Sequence, residues 1–142
     1  MTTVRQLLLL KGDYIWSITP DASVFEALRL MADKDVGALL VMDGDKMAGI
    51  LSERDYARKV VLSGKVSRET AVSEIMTPKV FTVHPDQTIE ECMEMMTAKR
   101  VRHLPVVERD HVVGMISIGD VVRDIIFRQR ETIKGLEKYV TG

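Results

Sequence analysis

The chain has 142 residues, 46% of them hydrophobic and 29% charged, with 20 basic and 21 acidic side chains and a formal net charge of -1. That length fits one compact domain, or two small repeats sharing a core. Charges of both signs are interspersed, which argues against nucleic acid as the main partner, and no run approaches the roughly 20 apolar residues that span a bilayer. Cys92 is the only cysteine, so neither an internal disulfide nor a cysteine metal cluster can form. The leucine run Leu7 to Leu10 is too short for a signal-peptide core, and the expected location is cytoplasmic.

In chain order, Val4 to Leu10 reads as a short N-terminal helix, followed by a β-prone segment, Tyr14 to Ile18, before Pro20. Ser23 is a helix N-cap candidate, and Val24, Ala27, Leu28 and Met31 then fall at i, i+3, i+4 and i+7, one face of a helix. Two apolar runs, Ala38–Met42 and Met47–Leu51, flank the polar turn Asp43-Gly44-Asp45-Lys46 and predict a hairpin, with a second helix after Ser52. Residues 63 to 77 form a connector that Val72, Ile75 and Met76 make apolar enough to pack.

The same order then recurs. Val80 to Val83 is a second β-prone segment, Thr88 a second N-cap, and Ile89, Cys92, Met93 and Met96 a second helical face. Leu104–Val107 and Val112–Ile116 flank the turn Glu108-Arg109-Asp110-His111, and another helix starts after Ser117. A shift of 65 positions carries Pro20-Asp21 onto Pro85-Asp86 and, without a gap, Glu26 onto Glu91, Val36 onto Val101, Gly49 onto Gly114 and Asp55 onto Asp120. The unit is therefore β-α-β-β-α, twice. The last helix continues past its counterpart, with Val122, Ile126, Gln129, Ile133, Leu136 and Val140 forming a coiled-coil-like seam. The N-terminal leucines or a second subunit are the candidates to cover it.

Both copies carry Gly-h-h-Ser-x-x-Asp, where h is apolar: Gly49 to Asp55 and Gly114 to Asp120. Two readings fit. Ser-x-x-Asp entering a helix resembles a capping box. The same groups also suit a nucleotide, because a helix N-terminus favours phosphate, a serine adds a hydroxyl donor, and an ionised aspartate accepts from a ribose diol.

Two β-α-β-β-α copies each ending in this motif resemble a cystathionine-β-synthase (CBS) domain pair, or Bateman module. Val101-Arg102-His103-Leu104-Pro105-Val106 is similar to that family's other hallmark, and the likeness runs from about Ile15 to Arg128. Gly49 to Lys59 and Met115 to Val122 resemble the small free-standing CBS-pair proteins of bacteria and plant organelles. The resemblance implies an α/β (α+β) fold of two repeats related by pseudo-twofold symmetry, with an extended C-terminal helix. The expected division is residues 1–14 lead-in, 15–63 first repeat, 64–79 connector, 80–128 second repeat and 129–142 helical extension.

The resemblance also implies a regulatory, non-enzymatic module binding AMP, ADP, ATP or NAD in the cleft between repeats. S-adenosylmethionine is the alternative ligand, and an enzyme acting on an adenine nucleotide is a remoter one. It further implies a homodimer acting on an unidentified regulated protein, with no metal and no membrane. The motif aspartate would contact ribose, the serine phosphate, and strand backbone adenine. The candidate ligand-binding residues are thus Ser117, Asp120, Arg102, His103, Pro105 and Val83 in the second copy, and Ser52, Asp55 and Arg54 in the first. The second copy is favoured, because Arg102-His103 replaces Gly37-Ala38 and Gly119 replaces Arg54. Cys92 is expected to be a buried inert thiol, Trp16 to pack at the core or stack on adenine, and His84 and His111 to lie at the surface. No phosphate-binding loop, dinucleotide fingerprint or metalloprotease motif occurs.

Overall fold

The computed structural model describes residues 2–141, with side chains to residue 137. It divides into a continuous unit, Tyr14–Phe81, and a split unit made of residues up to Asp13 together with those from Thr82 onward.

In the continuous unit, β1 (Ser17–Ile18) pairs in parallel with β2 (Ala38–Asp43), and β2 pairs antiparallel with β3 (Lys46–Ser52). Gly44, at φ +62°, turns this hairpin. Helix α2 (Val24–Lys34) is capped by the Ser23 side chain, which accepts from the Glu26 N–H, and it buries Val24, Ala27 and Met31 against Leu39, Val41 and Leu51. The second helix of this repeat is short. Four residues of α3 (Glu53–Tyr56) lead into a π-helical turn, Ala57–Val61, where the Leu62 N–H reaches back to the Ala57 carbonyl. The connector holds α4 (Val72–Ile75), whose Val72 and Ile75 are fully buried in the same core.

The split unit repeats this plan. Helix α5 (Ile89–Lys99) is capped by Thr88 and buries Ile89, Cys92 and Met96, while β4 (His103–Glu108) pairs antiparallel with β5 (His111–Ser117). The hairpins even share their irregularity, a register shift after Val41 in one and after Val106 in the other. Where the sequence predicts a strand at Val80–Val83, only Val83 pairs, in a single parallel bridge to Val106. Helix α6 (Ile118–Thr141) is the long final helix.

The N-terminal helix α1 (Val4–Lys11) is not an appendage outside the repeat. The Val4 N–H donates to the Gln87 carbonyl and that of Arg5 to the Pro85 carbonyl, as Val72 does to Ala22 and Ser73 to Pro20. Bridges Thr3–Thr88 and Ser23–Ala71 correspond in the same way. Residues 2–8 are therefore the counterpart of 70–76, and each repeat is completed by the helix that precedes the other repeat in sequence.

This exchange explains the first residue of the shared motif. A β-carbon added at Gly49 would lie 2.7 Å from the Thr77 carbonyl oxygen and 2.9 Å from the Met76 sulfur, and one added at Gly114 would lie 2.7 Å from Leu8 Cδ2. Both glycines admit the partner helix. At Gly49 the obstacle is backbone, whereas at Gly114 it is the end of a flexible side chain. Gly49→Ala is thus expected to destabilise by about 1–3 kcal/mol and Gly114→Ala by less, measured by urea unfolding. Equal losses would contradict this account.

Candidate functional site

The Ser-x-x-Asp motifs sit where β3 meets α3 and where β5 meets α6. Both form the reciprocal capping box. The Asp55 N–H donates to Ser52 Oγ at 3.2 Å while the Ser52 N–H donates to Asp55 Oδ2 at 3.0 Å. The matching distances for Asp120 and Ser117 are 3.2 and 2.8 Å. The open helix end expected from sequence is partly closed. The Ile118 N–H already donates to the Arg102 carbonyl, and that of Glu53 to Gly37.

The rest of each carboxylate differs between units. Asp120 is buried, its side chain 8% exposed, and Oδ2 also accepts from Lys11 Nζ at 2.6 Å while Oδ1 accepts from Arg123 Nη2 at 2.7 Å. The Ser117 side chain adds a further favourable interaction with the carboxylate. Both cations reach it on long stems, and the Arg123 side chain is 74% exposed. Asp55, 13% exposed, instead accepts on Oδ1 from Thr77 Oγ1 at 3.2 Å and Lys59 Nζ at 3.3 Å.

Burial pushes the Asp120 carboxyl upward, but Lys11 and the Ser117 N–H outweigh that and hold it below the usual carboxylate range. It is a buried anion at neutral pH. His103 faces the same group. Its imidazole is lowered from the usual 6.5 mainly by burial, with Lys11 and Arg102 lowering it further and the Asp120 charge opposing them. His103 is therefore neutral at pH 7. In an NMR titration it should protonate below pH 6.5, and Asp120→Asn should move that midpoint lower still. A midpoint that rises on this substitution would refute the arrangement.

The structure brings Ser117, Asp120, His103 and Arg102 together, with Arg102 exposed. Pro105 and Val83 are both buried, and the Pro105 carbonyl accepts from the Val83 N–H at 3.0 Å, so that backbone position is already bonded. Ser52 and Asp55 stand together, while Arg54 is exposed. Gly119 does not leave open space, since Arg123 Nη1 lies 3.3 Å from where its β-carbon would be. Sequence reasoning missed Lys11 and Arg123. Arg123 was findable as the matched partner of Arg58, but Lys11 is 109 positions from Asp120 and gave no local signal.

Trp16 packs partly buried against the core, stacked with Tyr14 at 6.3 Å and with Lys34 Nζ 4.5 Å from its ring centre. Cys92 is fully buried, and burial pushes its thiol up to about 11, so it is not a nucleophile. His84 and His111 are exposed. A groove of about 510 Å³ lies along Glu90, Ile125, Arg128, Gln129, Thr132 and Ile133, and none of the candidate ligand residues lines it. Among the described residues no group of side chains could hold a metal ion, and no helix is long and apolar enough to cross a membrane.

A family model described as CBS domain matches residues 12–62 and 72–126. The CBS domain-containing protein CBSX3, mitochondrial, of Arabidopsis thaliana is 40% identical over 136 residues, covering 92% of this chain and 66% of the relative. The chain thus spans just under two thirds of that relative. A putative signal-transduction protein with CBS domains from Burkholderia ambifaria is 52% identical with a TM-score of 0.88, covering 90% of this chain and 96% of that one. The CBS domain pair of protein MJ0100, solved in complex with 5′-methylthioadenosine and S-adenosyl-L-methionine, is 25% identical with a TM-score of 0.80, covering 90% and 98%.

Proposed function

The chain belongs to the CBS-domain family and carries the domain as a pair, and from that premise we propose that it is a regulatory module binding an adenine nucleotide (AMP, ADP, ATP or NAD) and modulating another protein. The observation that carries this reading is the buried, ionised Asp120, with Ser117 beside it and cations around it. A ribose diol is a pair of neutral donors that can replace side-chain cations on such a carboxylate. Ser117 and Arg102 are the groups read as meeting a phosphate, and Asp55 with Ser52 as the weaker second site.

The second reading is S-adenosylmethionine, favoured by the ligands of MJ0100. Calorimetry with AMP, ADP, ATP, NAD and S-adenosylmethionine separates the readings. Micromolar binding of a nucleotide is expected, on the order of -6 to -8 kcal/mol, and silence from all five would sink the adenine hypothesis. The module is read as non-catalytic, because Asp55, Asp120 and His103 are all accounted for as binding groups. Incubation with ATP or NAD should leave both intact.

The functional form is read as a homodimer in an aqueous, cytoplasm-like compartment. Helix α6 exposes Val122, Ile126, Phe127, Ile133 and Leu136, a stripe too apolar to be left to water. Of the predicted seam, the Val140 side chain lies outside the described residues. Light scattering that finds a 16.0 kDa monomer at micromolar concentration would remove the dimer.

A further inference from the structure

Lys11 is the last residue of α1, and its ammonium makes two contacts: Asp120 Oδ2 at 2.6 Å and the Met115 carbonyl at 2.7 Å. In the continuous unit the matching carbonyl, Ile50, accepts the backbone N–H of Thr77 at 2.9 Å, and the matching carboxylate, Asp55, accepts the Thr77 hydroxyl. One lysine side chain therefore does in the split unit what a threonine's backbone and hydroxyl do in the other. The substitution changes two things. It adds a positive charge at the place where the counterpart has a neutral hydroxyl, so that Asp120 faces two cations and Asp55 only Lys59, and it makes the contact removable by turning a side chain rather than shifting backbone.

We propose that Lys11 is the specificity residue of the Asp120 site, selecting adenosine ligands with a 5′-phosphate over those with a 5′-sulfonium. In the free protein Lys11 neutralises Asp120. When a ribose diol takes the carboxylate, the ammonium is displaced within one side-chain length of the sugar. A 5′-phosphate gives it a new anionic partner; a sulfonium gives it a like charge. Arg123 and Arg102 add to the same positive field, whereas His103 is neutral and adds nothing to it. The Lys11 side chain is 31% exposed, so its stem is not locked in the core, and its place at the C-terminal end of α1 favours a cation there by the helix dipole. This inference rests on the adenine reading of the site and adds which adenine ligands it takes.

The test uses the full chain and Lys11→Gln, whose amide can donate to both the Met115 carbonyl and Asp120 without a charge. Lys11→Arg serves as the charge-preserving control, and thermal unfolding of both variants confirms that the fold is kept. Affinities for ATP, adenosine and S-adenosylmethionine are measured by calorimetry. Lys11→Gln should lose about tenfold for ATP, the size of one charge-assisted hydrogen bond. Adenosine should be unchanged or tighter, S-adenosylmethionine should gain, and Lys11→Arg should keep the preference for ATP. If Lys11→Gln shifts ATP, adenosine and S-adenosylmethionine by the same factor, the specificity role is wrong while the adenine reading stands. If the unaltered chain binds none of the three, the adenine reading fails and this inference with it.

Discussion

A chain lacking residues 2–11 is expected to lose the split unit while the continuous unit stays folded. The deletion removes Val4, which is fully buried, and Leu7, 6% exposed, from the core that contains α5 and β4. Burying two such side chains contributes roughly 3–6 kcal/mol, comparable with the whole stability of a small domain, about 5–15 kcal/mol. The deletion also uncovers the Gly114 surface that Leu8 fills and removes the cation from Asp120. Trp16 is the only tryptophan and lies in the continuous unit. Its fluorescence should keep a cooperative melt while far-UV circular dichroism shows part of the helix lost at low temperature. Leu7→Ala, expected to cost about 2–5 kcal/mol, is the milder variant. If the deletion lowered both signals together, or neither, the assignment of α1 to the second repeat would be wrong.

Asp120→Ala should weaken nucleotide binding by at least about tenfold, since each charge-assisted hydrogen bond to a ribose hydroxyl contributes roughly 1.5–3 kcal/mol. Asp55→Ala should cost less. Asp55 is covered partly by Thr77, which β-bridge pairing to Ile50 fixes in place, and its helix is only four residues long before the π-turn. Asp120 is held by two cations on long side chains at the start of a 24-residue helix. Because alanine also strips the cap from α6, Asp120→Asn is the companion variant; its amide oxygen can still cap. Titration of all three with the best ligand decides the matter. An unchanged affinity in Asp120→Ala beside a large loss in Asp55→Ala would reverse the assignment. The lowered pKa of Asp120 also sets an acid limit. The stabilisation from Asp120 is complete above its unfolded value, near 3.8, and is lost as pH falls through the lower folded value.

Much of this was legible in the sequence, for reasons that particular residues show. The N-caps Ser23 and Thr88, the helical faces they start and the two hairpins depend on neighbours a few positions apart, and all appear as read. The short helix after Ser52 was not legible, because nothing in Arg58-Lys59-Val60 announces a π-turn in place of a continuing α-helix. The kinship of α1 and α4 was hidden by spacing. Thr2-Thr3-Val4 matches Thr70-Ala71-Val72 at a shift of 68, whereas the rest of the repeat holds at 65. Sliding without a gap sets Val4 on Glu69, and the likeness vanishes. At the site the capping-box reading of Ser-x-x-Asp is met by the atoms it names, and the same carboxylate accepts from Lys11 and Arg123 beyond the box. What sequence could not supply was the cation, since Lys11 arrives from the far end of the chain.

The exchange of helices also orders events during synthesis. The continuous unit has all its parts once residue 81 has left the ribosome, and it can fold while the rest is still being made. Helix α1, made before the continuous unit, has no docking site until β4 and β5 appear, and its closing contact spans 109 positions. Until then the segment Leu7-Leu8-Leu9-Leu10 is an apolar, undocked stretch in search of a partner. It is a natural target for a chaperone on the nascent chain, and the long wait makes the split unit the slower of the two to fold.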